Sequence, residues 1–256
     1  MPLLDYARQL LALSMLGYAS FKDIRTREVN DLVWLIFGAS GLILDAYEIY
    51  TGSLGVVDLG LSLLFVVLFS LFSGYLGFFG GADLFAFIVL VLLQPVVPKL
   101  GLPYLGFTPL FFPLTLISNA ILVSASASII VLVSNLLTAG RKGTLFSGHE
   151  SEPVWRKFVL LISARKLGMD TVVGPPYHYP LEYVNLGTGE LGLKLRPDLF
   201  DDEEAAKIFQ DLRNAGYSSV WVSSTLPFIL FLALGYVVSI TFGDIALFLV
   251  SRIFVG

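Results

Sequence analysis

The chain has 256 residues, of which 56% are hydrophobic and only 14% charged, and its mean hydropathy is +0.81. An ordinary soluble domain carries roughly 25% charged residues, so too little polar surface remains to cover a soluble body, and the same figures exclude intrinsic disorder. A net charge of −4 argues against a nucleic-acid-binding face, and the lack of cysteine rules out disulfides, a thiolate nucleophile and Cys-ligated zinc.

A membrane crossing needs about 20 mainly apolar residues for roughly 30 Å of hydrocarbon. Six stretches qualify or come close: 3–21, 32–50, 56–79, 84–98, 109–138 and 226–250. The fourth is short and either draws in 80–83 or sits where the bilayer thins. The fifth carries Ser118, Asn119, Ser124, Ser126 and Ser128, residues that bond helix to helix in lipid. The first lacks a basic n-region and carries Asp5 and Arg8, so it is read as a span rather than a cleaved signal peptide.

Orientation follows from Lys and Arg close to the span ends. One side receives Lys22, Arg25, Arg27, Arg141, Lys142, Arg156, Lys157, Lys207 and Arg213, and the other receives Arg8, Lys99 and Arg252. Nine against three places both termini outside and the hydrophilic insert inside. The expected fold is an all-α polytopic membrane protein. It has six transmembrane helices and a small α+β cytoplasmic insert between spans five and six. Its organisation is 1–138 for five spans, 139–221 for the insert and 222–256 for the sixth span. Within the insert, Pro153 opens a helix over 154–166, strands are expected at 181–184 and 191–195, and an acidic-capped helix runs over 201–214. A short strand at 220–222 leads to the last span.

Several familiar patterns fail on context. Gly187, Gly189 and Gly192 spell GxGxxG, but the residues that follow alternate like a strand, so a hairpin turn is the better reading. Gly38-Ala39-Ser40-Gly41 looks like a serine-peptidase motif, yet both histidines, His149 and His178, fall in the insert; small residues packing helices fit better. His149-Glu150 lacks the second zinc ligand at i+4, so no metal and no cofactor is expected.

Acids in or beside a span are costly and suggest function. Asp45, Glu48 and Asp58 fall in the outer connection between spans two and three, where solvation explains them. Asp5 with Arg8 makes an i,i+3 pair, and Asp244 lies near the outer surface, paired with Arg252 or an outer loop. Asp23 and Asp83 differ, because both come at the inner face. Two such carboxylates can share a proton and hold a water. Like-charge repulsion and partial desolvation would keep one protonated while the other acts as base on a peptide carbonyl. Gly80 and Gly81 would let an extended substrate backbone approach.

The run from Ser20 through Lys22-Asp23-Ile24-Arg25-Thr26-Arg27 to Asp31 resembles the first signature of the type IV prepilin peptidases, most closely their archaeal preflagellin/prepilin branch. Gly80-Gly81-Ala82-Asp83 resembles the second, the GxGD motif shared with presenilin-type aspartyl proteases, with Ala82 in place of the third glycine. The order, the sixty-residue spacing, the insert, and Trp221 and Pro227 at the entry to the last span add to the likeness. The resemblance implies an aspartic endopeptidase with Asp23 and Asp83 as catalytic pair and Gly80, Gly81 and Ala82 as motif backbone. It implies preflagellin or prepilin precursors as partners, cut at the cytoplasmic face of the cell membrane. A proton- or cation-coupled transporter using the same aspartates is the alternative from another class, and would require inverted repeats.

Overall fold

The computed structural model describes residues 2–254 except 77–78, 100–103, 106–108, 110, 143–144, 186, 188, 197, 199–200 and 225–226, and the side chains of 2 and 138–142 are likewise outside it. Arg141 and Lys142, two of the nine inner cations, and Leu226, where the last stretch was expected to start, therefore lie outside the described side chains. The chain divides into two compact units, one of 1–124 with 227–256 and one of 125–226.

The first unit is helical. It contains α1 (Pro2–Thr26), α2 (Asp31–Tyr50), α3 (Val56–Tyr75), α4 (Gly81–Leu93), the first part of α5 (Phe112–Lys142), and, after the second unit, α8 (Phe228–Thr241) and α9 (Ile245–Phe254). Among the described residues three helices are long and apolar enough to cross a membrane: α2, α3 and the 112–137 part of α5. A fourth crossing counts if α8 and α9, bent by 63° at their junction, act as one. Six crossings were expected. The difference lies in α1, whose length is sufficient but which carries Asp5, Arg8, Lys22, Asp23 and Arg25, and in α4, which has only 13 residues.

In α3 the buried residues are Ser62, Val66, Ser70 and Ser73, while Leu61, Leu64, Leu68, Leu71 and Phe72 point outward. Small residues inside and large apolar ones outside invert the soluble pattern and suit a helix packed in lipid. The core runs from Ala12, Met15, Leu16 and Ala19 of α1 through Ala86, Phe87 and Leu90 of α4 to Leu116 of α5 and Leu232 and Tyr236 of α8. Short α4 occupies the middle, against α1, α2, α3 and α8. Gly41 of α2 meets it so closely that a Cβ there would lie 2.9 Å from the Leu92 carbonyl carbon and oxygen. That close approach accounts for the glycine at 41.

The last stretch is broken at Gly243, where φ is +89°, a backbone conformation that glycine adopts without strain. Buried Asn119 of α5 covers the break, donating to Ser239 Oγ and the Gly243 carbonyl at 2.9 Å each and accepting from the Ile245 N–H at 3.3 Å. Of the polar residues on span five expected to bond helix to helix, Asn119 does so, whereas Ser118 and Ser124 donate to the Thr115 and Ile121 carbonyls of their own helix.

The second unit contains the end of α5, α6 (Val154–Ser163), β1 (Ala164–Gly168), β2 (His178–Pro180), β3 (Glu182–Val184), β4 (Leu191–Leu193), α7 (Asp202–Asn214) and β5 (Ser219–Ser224). An antiparallel sheet runs β1-β5-β2, and β3 pairs with β4 as a separate hairpin. The strands flanking the glycines thus form the expected hairpin, and Gly189 between them has φ +71°. The helix expected over 154–166 stops at Ser163, and Ala164–Gly168 pairs with β5 instead. The β partner overrides a helical pattern that was locally adequate. Trp221, Leu160, Ala164, Leu181 and Leu193 form one core and Met169, Phe209, Leu212, Val220 and Val222 another.

Candidate active site

Asp23 sits in the last turn of α1. The helix closes after Thr26, whose Oγ1 donates to the Lys22 carbonyl at 2.9 Å and the Glu28 carbonyl at 3.1 Å. Arg27 then takes a left-handed conformation, φ +56°, uncommon for a residue with a side chain. Its N–H donates to the Asp23 carbonyl at 3.1 Å, and the turn folds its guanidinium back to within 3.8 Å of Asp23 Oδ1. Asn30 caps α2 by accepting from the Leu32 N–H at 2.9 Å. The first motif is therefore a helix end, a left-handed turn and a helix start in succession.

The second motif starts α4. Gly80 is the extended N-cap, at φ −72° and ψ 163°, and Asp83 Oδ2 accepts its N–H at 3.0 Å. This is one half of a capping box, the half that a glycine N-cap permits. Ala82 packs against the helical core, and Gly81 is exposed with open space where a side chain would stand. Neither glycine has a positive φ, so local strain does not demand them.

The fold brings the two acids to the same end of the helical unit, where the Asp83 carboxyl lies within electrostatic range of both Asp23 and Arg27. Among the described residues no hydrogen bond joins the two carboxylates. Asp23 Oδ2 is buried and accepts none. The arrangement offers one carboxylate oxygen without a donor, a second carboxyl held by one backbone N–H, and a cation beside them. A water or a polar substrate group has lone pairs to meet there, and Gly81 leaves room above. Among the described residues no three His, Asp or Glu side chains converge as a metal site requires.

Of the other acids of the helical unit, Asp58 is exposed as expected, but Asp45, Glu48 and the partners of Arg8 differ from the expectation. Asp45 and Glu48 are not solvated: they are 2% and 9% exposed and surround Arg8, itself 1% exposed. Arg8 Nη2 lies 2.8 Å from both Asp45 Oδ1 and Glu48 Oε2, and Nη1 donates to the Leu93 carbonyl at 2.9 Å and the Leu92 carbonyl at 3.4 Å. Arg8 thus engages α2 and the end of α4 rather than Asp5. An i,i+3 spacing on one helix could not reveal partners 37 and 85 residues away. Asp244 does not pair with Arg252. It accepts from Thr115 Oγ1 at 2.6 Å and from the Leu247 N–H at 2.8 Å, capping α9.

In the second unit, buried Glu182 accepts from His149 Nε2 at 2.6 Å, Lys166 Nζ at 2.8 Å and the Trp221 N–H at 2.6 Å. Burial alone would raise this carboxyl; the His149 and Lys166 contacts and the Trp221 N–H outweigh it and hold it below the ordinary glutamate range. Sequence reasoning missed this group, since its members come from a loop and three strands.

With this geometry in place, the chain can be set against known proteins. The family model of the archaeal peptidase A24 C-terminus, type II, matches residues 156–245. A preflagellin peptidase of Methanococcus voltae is 25% identical over 253 residues, covering 94% of this chain and 96% of the relative. The preflagellin peptidase of Methanococcus maripaludis strain C6 is 24% identical over 239 residues, 88% and 90% of the two chains. That of Methanocaldococcus jannaschii is 25% identical over 243 residues, 88% and 89%. The likeness first carried by two short aspartate motifs is thus a likeness of nearly the whole chain to archaeal preflagellin peptidases.

Proposed function

We propose that this chain is a membrane-embedded aspartyl endopeptidase that removes the short basic leader from archaeal preflagellin- or prepilin-like precursors at the cytoplasmic membrane face. The observation that carries the reading is that Asp23 and Asp83, from motifs sixty residues apart, stand at the same end of the helical unit, at the close of α1 and the start of α4, within electrostatic range of each other. The similarity to preflagellin peptidases over about nine-tenths of the chain supports the substrate class.

In this mechanism the ionised aspartate takes a proton from water, which attacks the scissile carbonyl carbon. The protonated aspartate donates a hydrogen bond to the carbonyl oxygen, and a proton then passes to the departing amine as the C–N bond breaks. The pair titrates as a unit, so neither residue owns a separate role at every pH. Gly80, Gly81 and Ala82 give the substrate backbone a low wall to lie against. Arg27, one of the nine inner cations, balances the charge of Asp23.

The reading takes α1, α2, α3, α4, α5 and the bent α8–α9 pair as six crossings. The nine inner cations face the cytoplasm, residues 139–221 form a cytoplasmic insert, and both termini are outside. Membranes containing the chain, incubated with a preflagellin precursor, should yield a shortened product. Mass spectrometry should locate the cut between the basic leader and the hydrophobic segment. Intact precursor after incubation with folded protein would remove the peptidase assignment.

A further inference from the structure

Short α4 poses a physical problem. At 13 residues it spans roughly 20 Å, well under the roughly 30 Å of hydrocarbon. Hydrophobic matching therefore does not fix its depth, as it does for a helix whose length equals the hydrocarbon thickness. Something else must set how far along α1 the start of α4 lies, and Asp83 stands in its first turn.

The contacts at its other end supply the answer. The last carbonyls of a helix have no partner within the helix. Those of Leu92 and Leu93 are met by Arg8 Nη1 at 3.4 and 2.9 Å. The guanidinium is itself held by Glu48 Oε2, 3.1 Å from Nε, and by Asp45 Oδ1, 2.8 Å from Nη2. Gly41 brings the α2 backbone against the same Leu92. One buried cation thus ties α1, α2 and the end of α4 together.

Stability does not explain such a group. A buried ion cluster usually contributes no more than well-packed apolar residues of the same volume, and its best-attested use is to fix register. A charged group within a membrane helix is costlier still.

We infer that Arg8, with Asp45 and Glu48, is a positioning clamp: it fixes α4 along α1 at the end remote from the motifs and so sets the spacing of Asp23 and Asp83. Each of these two helices carries a clamp contact near one end and a motif aspartate near the other. Loss of the clamp frees α4 to slide, and a displacement of about 1 Å at a reacting group costs on the order of 100-fold in rate. The catalytic part of this inference rests on the peptidase reading; the spacing part does not.

The absence of native cysteine makes the test direct. Ile24 and Phe85 are exposed neighbours of the two aspartates on α1 and α4. Ile24→Cys with Phe85→Cys, spin-labelled in lipid nanodiscs, reports the helix spacing by pulsed electron resonance. Arg8→Met alone leaves Asp45 and Glu48 without their cation and can fail to fold. Arg8→Met with Asp45→Asn and Glu48→Gln removes the clamp without stranding charge, and Arg8→Lys keeps the charge but loses the planar fork. The triple variant should give a broadened or shifted distance. In unlabelled protein it should lower kcat about 10- to 100-fold with KM nearly unchanged, and Arg8→Lys should fall between it and the parent. A folded triple variant with the parent's distance and the parent's kcat overturns the clamp. A parent chain that cleaves no precursor overturns the peptidase reading, and the distance measurement then decides the clamp by itself.

Discussion

Glu182 of the second unit and the two motif aspartates of the helical unit are treated in opposite ways, whereas Asp45 and Glu48 of the helical unit are ion-paired like Glu182. In the second unit, Glu182 has both oxygens engaged by His149, Lys166 and the Trp221 N–H. In the helical unit, Asp23 leaves Oδ2 buried without a donor, and Asp83 accepts a single N–H from Gly80. A carboxylate with both oxygens engaged by three donors is fixed in place and has little acceptor capacity left. An under-satisfied one carries a desolvation cost that native structures seldom leave without a reason. The contrast separates a carboxylate that holds a fold together from two that are free to meet water or substrate.

The strongest way to break that contrast is to neutralise the acids one at a time. Asp23→Asn and Asp83→Asn should each lower precursor cleavage about 10²- to 10⁴-fold, the range for general acid–base groups. Neither should lower thermal stability, since each removes a charge with few partners. Asp→Glu at either site should also fail, because one methylene moves the carboxylate beyond the roughly 0.5 Å tolerance of a catalytic site. Gel assays and differential scanning of the purified protein read the two quantities. Unfolded Asn variants would reverse the comparison, making these acids structural like Glu182.

Glu182→Ala should do the opposite. Removing one partner of a buried charged group costs about 3–5 kcal/mol, because Lys166 and His149 keep their places without an acceptor. The measurable result is faster proteolysis within residues 125–226 and a lower unfolding midpoint for that unit. A Glu182→Ala variant as protease-resistant as the parent would show that the three donors find other partners.

Much of this division was legible in the sequence, for identifiable reasons. Asp23 and Asp83 stood out because apolar surroundings make any acid conspicuous. The hairpin around Gly189 and the acid-capped α7 were legible because turn and cap chemistry is local. Arg8 was misread because its partners come from α2 and the end of α4, and no local spacing encodes a meeting of that kind. Asp45 and Glu48 were assigned to solvent for the same reason: hydropathy places them near a span end but not on the face that turns inward. The break in the last span was hidden because Asn119, the residue that makes it tolerable, lies on another helix. Strand β1 was hidden because its pairing partner β5 follows it by more than fifty residues.

The pH dependence sharpens the comparison with a smaller effect. Glu182 titrates below its ordinary value of 4.5 in the folded protein. A depressed folded value means that the unfolded chain takes up the proton first as pH falls. The stabilisation from Glu182 is therefore complete above the ordinary value and lost as pH drops from there through the folded value. Denaturant titrations of the second unit should show a steeper acid loss in the parent than in Glu182→Gln, with the two converging below both values. Equal slopes would mean that Glu182 gains nothing from its donors as an anion.

The smallest effect comes from comparing two close-packed glycines, one in each unit. At Gly41 an added methyl would lie 2.9 Å from the Leu92 backbone, which belongs to a helix that cannot step aside without moving α4. At Gly192 the obstacle is nearer, 2.5 Å, but it is the ring of Tyr183, the cross-strand partner. That ring is 41% exposed and can rotate toward solvent. Overpacking against rigid backbone costs about 1–3 kcal/mol. Replacing a strand glycine returns about 0.5–1 kcal/mol of backbone entropy and offsets much of the cost of turning the ring. Gly41→Ala should therefore destabilise the helical unit measurably and slow cleavage through α4, whereas Gly192→Ala should leave the unfolding midpoint of the second unit within about 1 kcal/mol of the parent. The nearer clash is the cheaper one, because the neighbour's freedom to move, and not the distance alone, sets the cost.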